Sequence, residues 1–104
     1  MPKVARVEDS VTVHPCGGSN AVATGSPTVY AEGKKITRND GEDSNEAHLF
    51  DAPPICVPHT TTLSEGSPNV FVNGKKMGRH GDAYSCGVTI SSGADTVFAN
   101  GYND

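Results

Sequence analysis

The stretch Gly66-Ser67-Pro68-Asn69-Val70-Phe71-Val72-Asn73-Gly74 decides the fold, because the chain writes it more than once. A close copy precedes it at Gly25-Ser26-Pro27-Thr28-Val29-Tyr30-Ala31-Glu32-Gly33, and a looser one follows at Gly93-Ala94-Asp95-Thr96-Val97-Phe98-Ala99-Asn100-Gly101. The shared grammar is a Gly turn, a small residue, a Thr or Asn, a Val, an aromatic, an aliphatic and a closing Gly. Internal repeats are read before anything else, since they dictate architecture. These predict one short β unit used three times.

Working outward, Gly-Ser-Pro is a turn, where Pro presets φ and Gly permits a left-handed backbone. Thr28 to Ala31 and Asn69 to Val72 read as strands. Asn73-Gly74 is a strong hairpin signal, because a type I′ turn needs positive φ twice. Glu32-Gly33 reads the same way. Lys34 to Arg38 and Lys75 to Arg79 are return strands, and Asn20 to Thr24, Thr60 to Leu63 and Gly87 to Ser91 lead toward the three Gly turns. The third copy runs through Thr96 to Ala99 and an Asn100-Gly101 turn. It lacks a return strand, which residues 3–7 are expected to supply. Arg6-x-x-Asp9 is echoed by Arg79-x-x-Asp82 and, roughly, by Arg38-x-Asp40. An offset of this kind suits repeats set around an axis.

With 104 residues, 35% of them apolar, no Trp, and 12 Gly beside 7 Pro, a single domain over residues 1–104 with a small core is expected. Such a chain gains from an added staple. A net charge of −4 argues against nucleic-acid binding. No apolar run is long enough to span a membrane. Met1 to Ser10 has no apolar segment, so no classical signal peptide is expected.

Residues 39–58 break the pattern. Asn39 to Glu46 is acidic and turn-rich, and Pro53-Pro54 and Pro58 argue against regular structure. The expectation is a long loop anchored by something, with at most one helical turn from Glu46 to Asp51.

Three cysteines, Cys16, Cys56 and Cys86, make an odd set that fits a disulfide framework poorly and metal ligation or buried thiols better. His59 stands seven residues before Gly66 and Cys86 seven before Gly93, the same place in two copies. His14 stands eleven before Gly25, with Gly17 to Asn20 as an insertion. About a threefold axis these side chains converge, and His48 from the long loop supplies a fourth. Three imidazoles and a thiolate make the closed tetrahedron of structural zinc, with iron as a second choice. His14-x-Cys16 and Cys56-x-x-His59 keep Cys16 and Cys56 open as alternative ligands; either could equally be a small buried hydrophobe.

Asp9, Asp43 and Asp82 precede His14, His48 and Cys86 by five, five and four residues. Either they accept from ligand imidazoles or they are ordinary turn aspartates. Lys34-Lys35 and Lys75-Lys76 read as solvated charges, and His80 as a surface residue. Tyr30, Phe71 and Phe98 hold one position in three copies; they either pack inside or form an outward apolar patch for a partner. No nucleophile elbow, P-loop or His-Glu-x-x-His is present, and a closed four-ligand site leaves no place for substrate, so no enzyme is expected.

The repeated Gly-Ser-Pro-x-Val-(Tyr/Phe)-x-(Asn/Glu)-Gly-Lys, Arg79-x-Gly81-Asp82 and Ser85-Cys86-Gly87 together resemble the PAAR-repeat family, across nearly the whole chain. The Pro-Ala-Ala-Arg tetrad itself is replaced by Lys76-Met77-Gly78-Arg79 and Lys35-Ile36-Thr37-Arg38, which keep the Arg, and the Gly-Asp before His14 by Glu8-Asp9. The resemblance implies an all-β cone of short hairpins with pseudo-threefold symmetry and a metal near its apex, held by His14, His48, His59 and Cys86. It also implies a structural role. Such a monomer caps and sharpens a trimeric β-helical spike, either the central spike of a phage tail or the valine-glycine repeat protein of type VI secretion. Its place would be the virion tail tip or, alternatively, the bacterial cytoplasm before translocation. Contact with a target envelope would be transient. Rival readings are a zinc-binding adaptor that recruits cargo and a small zinc-dependent enzyme.

Overall fold

The computed structural model describes residues 2–39, 43–52, 55–68 and 70–98. Asp40, Pro53, Pro54, Asn69, Ala99, Asn100 and Gly101, which figure in the expectations above, lie outside them. Among the described residues there is no helix; the chain is all-β. Its strands are β1 (Tyr30–Ala31), β2 (Lys34–Lys35), β3 (Arg38–Asn39), β4 (His48–Ala52), β5 (Ile55–His59), β6 (Phe71–Val72) and β7 (Lys75–Met77).

The hairpins form where the repeats place them. β1 pairs with β2 across Glu32-Gly33, with φ of 52° and 81°, and β6 with β7 across Asn73-Gly74, with φ of 54° and 79°. Both turns have the two positive φ values of type I′. In register, Tyr30 faces Lys35 and Phe71 faces Lys76. The third copy closes with the chain's first segment, as expected: Phe98 bridges Lys3. Equivalent hydrogen bonds make the match concrete. Ile36, Met77 and Val4 donate from N–H to the carbonyls of Val29, Val70 and Val97 at 3.1, 2.9 and 2.9 Å. Ser26, Ser67 and Ala94 donate back to Ile36, Met77 and Val4 at 2.8, 2.8 and 2.9 Å. Each turn glycine lies against its return strand: a Cβ on Gly25, Gly66 or Gly93 would sit 2.8 Å from the Ile36 carbonyl oxygen, Lys76 Cβ or Lys3 Cβ.

The copies meet on an axis. Ala5 N–H donates to the Gly78 carbonyl at 3.0 Å, Gly78 to Thr37 at 2.9 Å, and Thr37 to Ala5 at 3.2 Å. Three equivalent residues thus bond in a closed triangle, and all three are buried. Gly78 is required here, because a Cβ would come within 2.5 Å of Thr37 Cγ2 and 3.0 Å of Leu63 Cδ2.

Two apolar layers sit along this axis. Val4, Ala31, Ile36, Val72 and Ala94 fill the hairpin layer, with Val29, Met77 and Val97 against them. Val11, Val22, Leu63, Tyr84, Val88 and Ile90 join Ala5 in the other, with Val7 and Cys86 against them. The second layer is enclosed by a ladder of isolated bridges that returns on itself: Val11 to Ile90, Thr89 to Ala83, Tyr84 to Leu63, Thr62 to Ser44, Asn45 to Val22, and Ala21 to Ser10. A ladder closed this way covers its own strand edges. The result is an elongated body of 42 × 29 × 22 Å.

Three ion pairs repeat beside the axis. In Arg6–Asp9, Arg38–Asp43 and Arg79–Asp82 the arginine donates from its backbone N–H, Nε and Nη2 to one carboxylate, all at 2.7–3.0 Å. The aspartates are buried. Bidentate, charge-assisted bonds of this kind offset the cost of burying the charges. Burial pushes the Asp9 carboxyl up, but hydrogen bonds from the Arg6 side chain and backbone and from Ser92 outweigh it and hold the group below its usual range. The middle pair is Arg38–Asp43, a five-residue spacing, while the loosely expected Arg38-x-Asp40 element rests on Asp40, outside the described residues.

Residues 48–59 correct the loop expectation. β4 and β5 form a regular hairpin with His48 opposite His59, Leu49 opposite Pro58 and Asp51 opposite Cys56. There is no helical turn from Glu46 to Asp51. Pro58 is tolerated because each strand of a two-stranded ribbon has an outer edge where no N–H is needed. The cysteine expectation is corrected as well. Cys16 and Cys56 are joined in a disulfide, with Cα atoms 6.1 Å apart. An odd cysteine count does not exclude one pair, and these two meet only through the fold.

Candidate metal centre

The second apolar layer carries the site at its far end, here called the apex. His48 opens β4 and His59 closes β5. Directly opposed residues on paired strands hold their Cβ atoms within about 5.5 Å, so two imidazoles start side by side. His14 comes from residues 13–19, which take no part in β pairing and turn tightly through a bond from Gly17 N–H to the His14 carbonyl. Cys86 lies in the turn closed by bonds from Gly87 to Tyr84 and from Tyr84 to Val88, where Gly87 has a φ of 95°.

These four side chains converge, and their ligand atoms all lie within 4.8 Å of one another. His59 Nε2 is 2.9 Å from His48 Nε2 and 3.2 Å from His14 Nε2, and Cys86 Sγ is 3.6 Å from His48 Nε2. Zinc–nitrogen and zinc–sulfur bonds of about 2.05 and 2.3 Å give tetrahedral edges of about 3.3 Å N···N and about 3.6 Å N···S. The donor set also suits a cation. His48 Nδ1 donates to the Glu46 carbonyl at 3.0 Å, so its Nε2 presents a lone pair when the ring is neutral. His59 Nε2 faces two other Nε2 atoms at once, and one proton cannot serve both. A single cation serves all three, so the residues fit a metal.

The surroundings favour the ligating protonation states. Burial lowers the His59 pKa, with further lowering from His48 and then His14. Thr61 Oγ1 lies 3.2 Å from Cys86 Sγ and donates to it when the sulfur is a thiolate. Asn45 Nδ2 donates to that same Thr61 oxygen at 3.0 Å, and Asn45 Oδ1 accepts from Thr61 N–H at 3.0 Å, which leaves the hydroxyl proton for sulfur. Such outer partners fix ligand orientation.

The structure therefore brings together His14, His48, His59 and Cys86. Cys16 and Cys56 are bonded to each other and are not ligands. Asp9, Asp43 and Asp82, considered as acceptors for the imidazoles, instead hold Arg6, Arg38 and Arg79. His80 is exposed, as expected. Sequence reasoning missed Asn45, Thr61 and the Glu46 carbonyl. A backbone carbonyl leaves no mark in a sequence, and Asn45 and Thr61 stand among many polar residues like them.

Comparison with known proteins agrees with this geometry. No curated protein matches the sequence. The model of the family described as PAAR motif matches residues 44–92 and again 59–103, together more than half of the chain. Both matches contain His59 and Cys86, and the first also contains His48. The repeats, the closed axis and this match agree: the chain belongs to the PAAR motif family.

Proposed function

We propose that this protein is a non-enzymatic tip, braced by a metal at its apex, that caps a threefold β-helical shaft. The observation that carries the reading is the placement of three aromatic side chains. Tyr30, Phe71 and Phe98 occupy the same position in the three hairpins and are 53%, 53% and 47% exposed. Large apolar side chains left outside at equivalent positions are what a complementary partner surface covers. A monomer whose face repeats three times about an axis matches the end of a trimer. The shaft would be the central spike of a phage tail or the valine-glycine repeat protein of a type VI secretion spike, and the protein would travel at its point.

His14, His48, His59 and Cys86 would hold the ion, and zinc suits a mixed nitrogen–sulfur tetrahedron best. Bound there, the metal would supply a cross-link between the β4–β5 ribbon, the His14 segment and the Cys86 turn. Four protein ligands fill that coordination, which favours a mechanical role over a catalytic one.

The test is co-purification with the trimeric β-helical end of a spike protein. The native chain is expected to bind one per trimer, and Tyr30→Ala/Phe71→Ala/Phe98→Ala to lose binding while its circular dichroism stays native. A native chain that binds no such shaft, or a triple variant that binds as well as the native protein, overturns the reading.

A further inference from the structure

We propose that the Cys16–Cys56 disulfide is a redox-controlled positioning device for the metal, so that the oxidation state of this pair sets how tightly the apex holds its ion. The inference rests on the metal reading of His14, His48, His59 and Cys86, not on the docking reading. It begins with an asymmetry among the ligands. His48 and His59 are fixed by β4–β5 pairing, and Cys86 by a hydrogen-bonded turn whose neighbours Ala83, Tyr84 and Thr89 join the closed ladder. Cys86 sits in a short turn between bridged residues, whereas His14 lies in a longer stretch outside the β pairing, residues 13–19, with Val13 and Pro15 exposed beside it.

The disulfide acts on that segment. Cys16 is two residues after His14, and Cys56 is three before His59. The bond therefore ties the segment that carries one ligand to the strand that carries another. With it closed, the His14 imidazole searches a small volume near the other three donors. With it open, ligation must also order the segment from 13 to 19, and that cost lowers affinity. A tether raises effective concentration without any new contact. Linkage is reciprocal: if the closed disulfide tightens metal binding by some factor, bound metal favours the closed disulfide by the same factor.

The redox step is ordinary thiol–disulfide exchange. Two molecules of a thiol such as glutathione deliver two electrons and two protons to Cys16–Cys56. Both cysteines leave as thiols, and the two glutathiones leave joined as their disulfide.

The experiment uses the full chain loaded with zinc. Zinc transfer to a chromophoric chelator is followed for the oxidised protein and for the protein poised in reducing glutathione buffer, with chelator controls in the same buffer. Cys16→Ser/Cys56→Ser, which cannot close the bond and adds no competing thiols, is measured in parallel. Affinity is expected to be about tenfold lower in both the reduced protein and the double variant, within the usual range of coupling between sites. In the other direction, zinc should shift the glutathione ratio at which Cys16 and Cys56 become alkylatable by the same factor, read by mass spectrometry. Equal or tighter zinc binding by the reduced protein and the variant overturns the proposal, as does a glutathione midpoint that zinc leaves unmoved. If the variant does not fold, the glutathione titration of the native chain decides alone. Failure of the oxidised protein to bind zinc at all sinks the metal reading itself and is distinguishable from these results.

Discussion

The hairpin layer and the apex are held together by different means. The hairpin layer and the axis beneath it are built by repetition, with matched backbone bonds, three Arg–Asp pairs of one geometry and a closed triangle at Ala5, Thr37 and Gly78. The apex is built from unlike parts: a two-stranded ribbon, a segment outside the β pairing and a tight turn, joined by one disulfide and by four converging side chains that could hold an ion. Repetition needs only that a good local solution be used again. Three dissimilar segments have no repeated pairing to hold them together, so cross-links take over.

The contrast can be broken most forcefully from the apex. Stripping the metal with a chelator should lower stability by about 4 kcal/mol relative to free metal held a thousandfold above its Kd. Hydrogen exchange should then rise first in residues 44–62 while amides at Ala5, Thr37 and Gly78 stay protected. Simultaneous loss of protection in both layers would show that they are not separable.

The next effect strikes the hairpin layer. Gly78→Val should cost about 3 kcal/mol or prevent folding, since its side chain would overlap Thr37 and Leu63 on the axis. Chemical denaturation measures it, and a shift under about 1 kcal/mol would mean that the axis is not close-packed there.

Acid should separate the two regions in sequence. The lowered pKa of His59 means its neutral form is favoured by folding, so its contribution is complete above the unfolded value near 6.5 and is lost as pH falls below it. Protons also compete with metal for the imidazoles. The Asp9 carboxyl, held low by Arg6, contributes fully above the unfolded carboxylate value near 3.9 and loses that contribution below about pH 4. Protection of the apex amides should therefore begin to fall as pH drops below about 6.5, well before protection falls at Arg6 and Ala5. The smallest effect belongs to Gly33→Ala. No atom lies within 4 Å of the added methyl group, so the cost is that of a φ of 81° alone, about 1 kcal/mol by thermal melting.

The same contrast governs what could be read in advance. The three Gly turns, the Asn73-Gly74 hairpin and the return of residues 3–7 to the third copy were legible because repetition places equal residues at equal positions. The four converging side chains were legible because His59 and Cys86 share one such position. The β4–β5 pairing was not, since a proline such as Pro58, which would break an inner strand, is harmless on a ribbon with two outer edges. Nor was the Cys16–Cys56 bond, whose partners are 40 residues apart and meet only once the arms fold back. Asp9, Asp43 and Asp82 were picked out together, but spacing from a histidine and spacing from an arginine look alike in one dimension. Only the buried geometry assigns them to arginine.

The triangle at Ala5, Thr37 and Gly78 has one more consequence. Its backbone returns nearly to itself after a third of a turn, whereas its side chains do not. On the docking reading proposed above, a threefold seat would receive this monomer in three rotational settings of nearly equal backbone fit. The difference between one tyrosine and two phenylalanines is left to choose among them, and an image averaged over many particles would keep the base sharp while smearing the point.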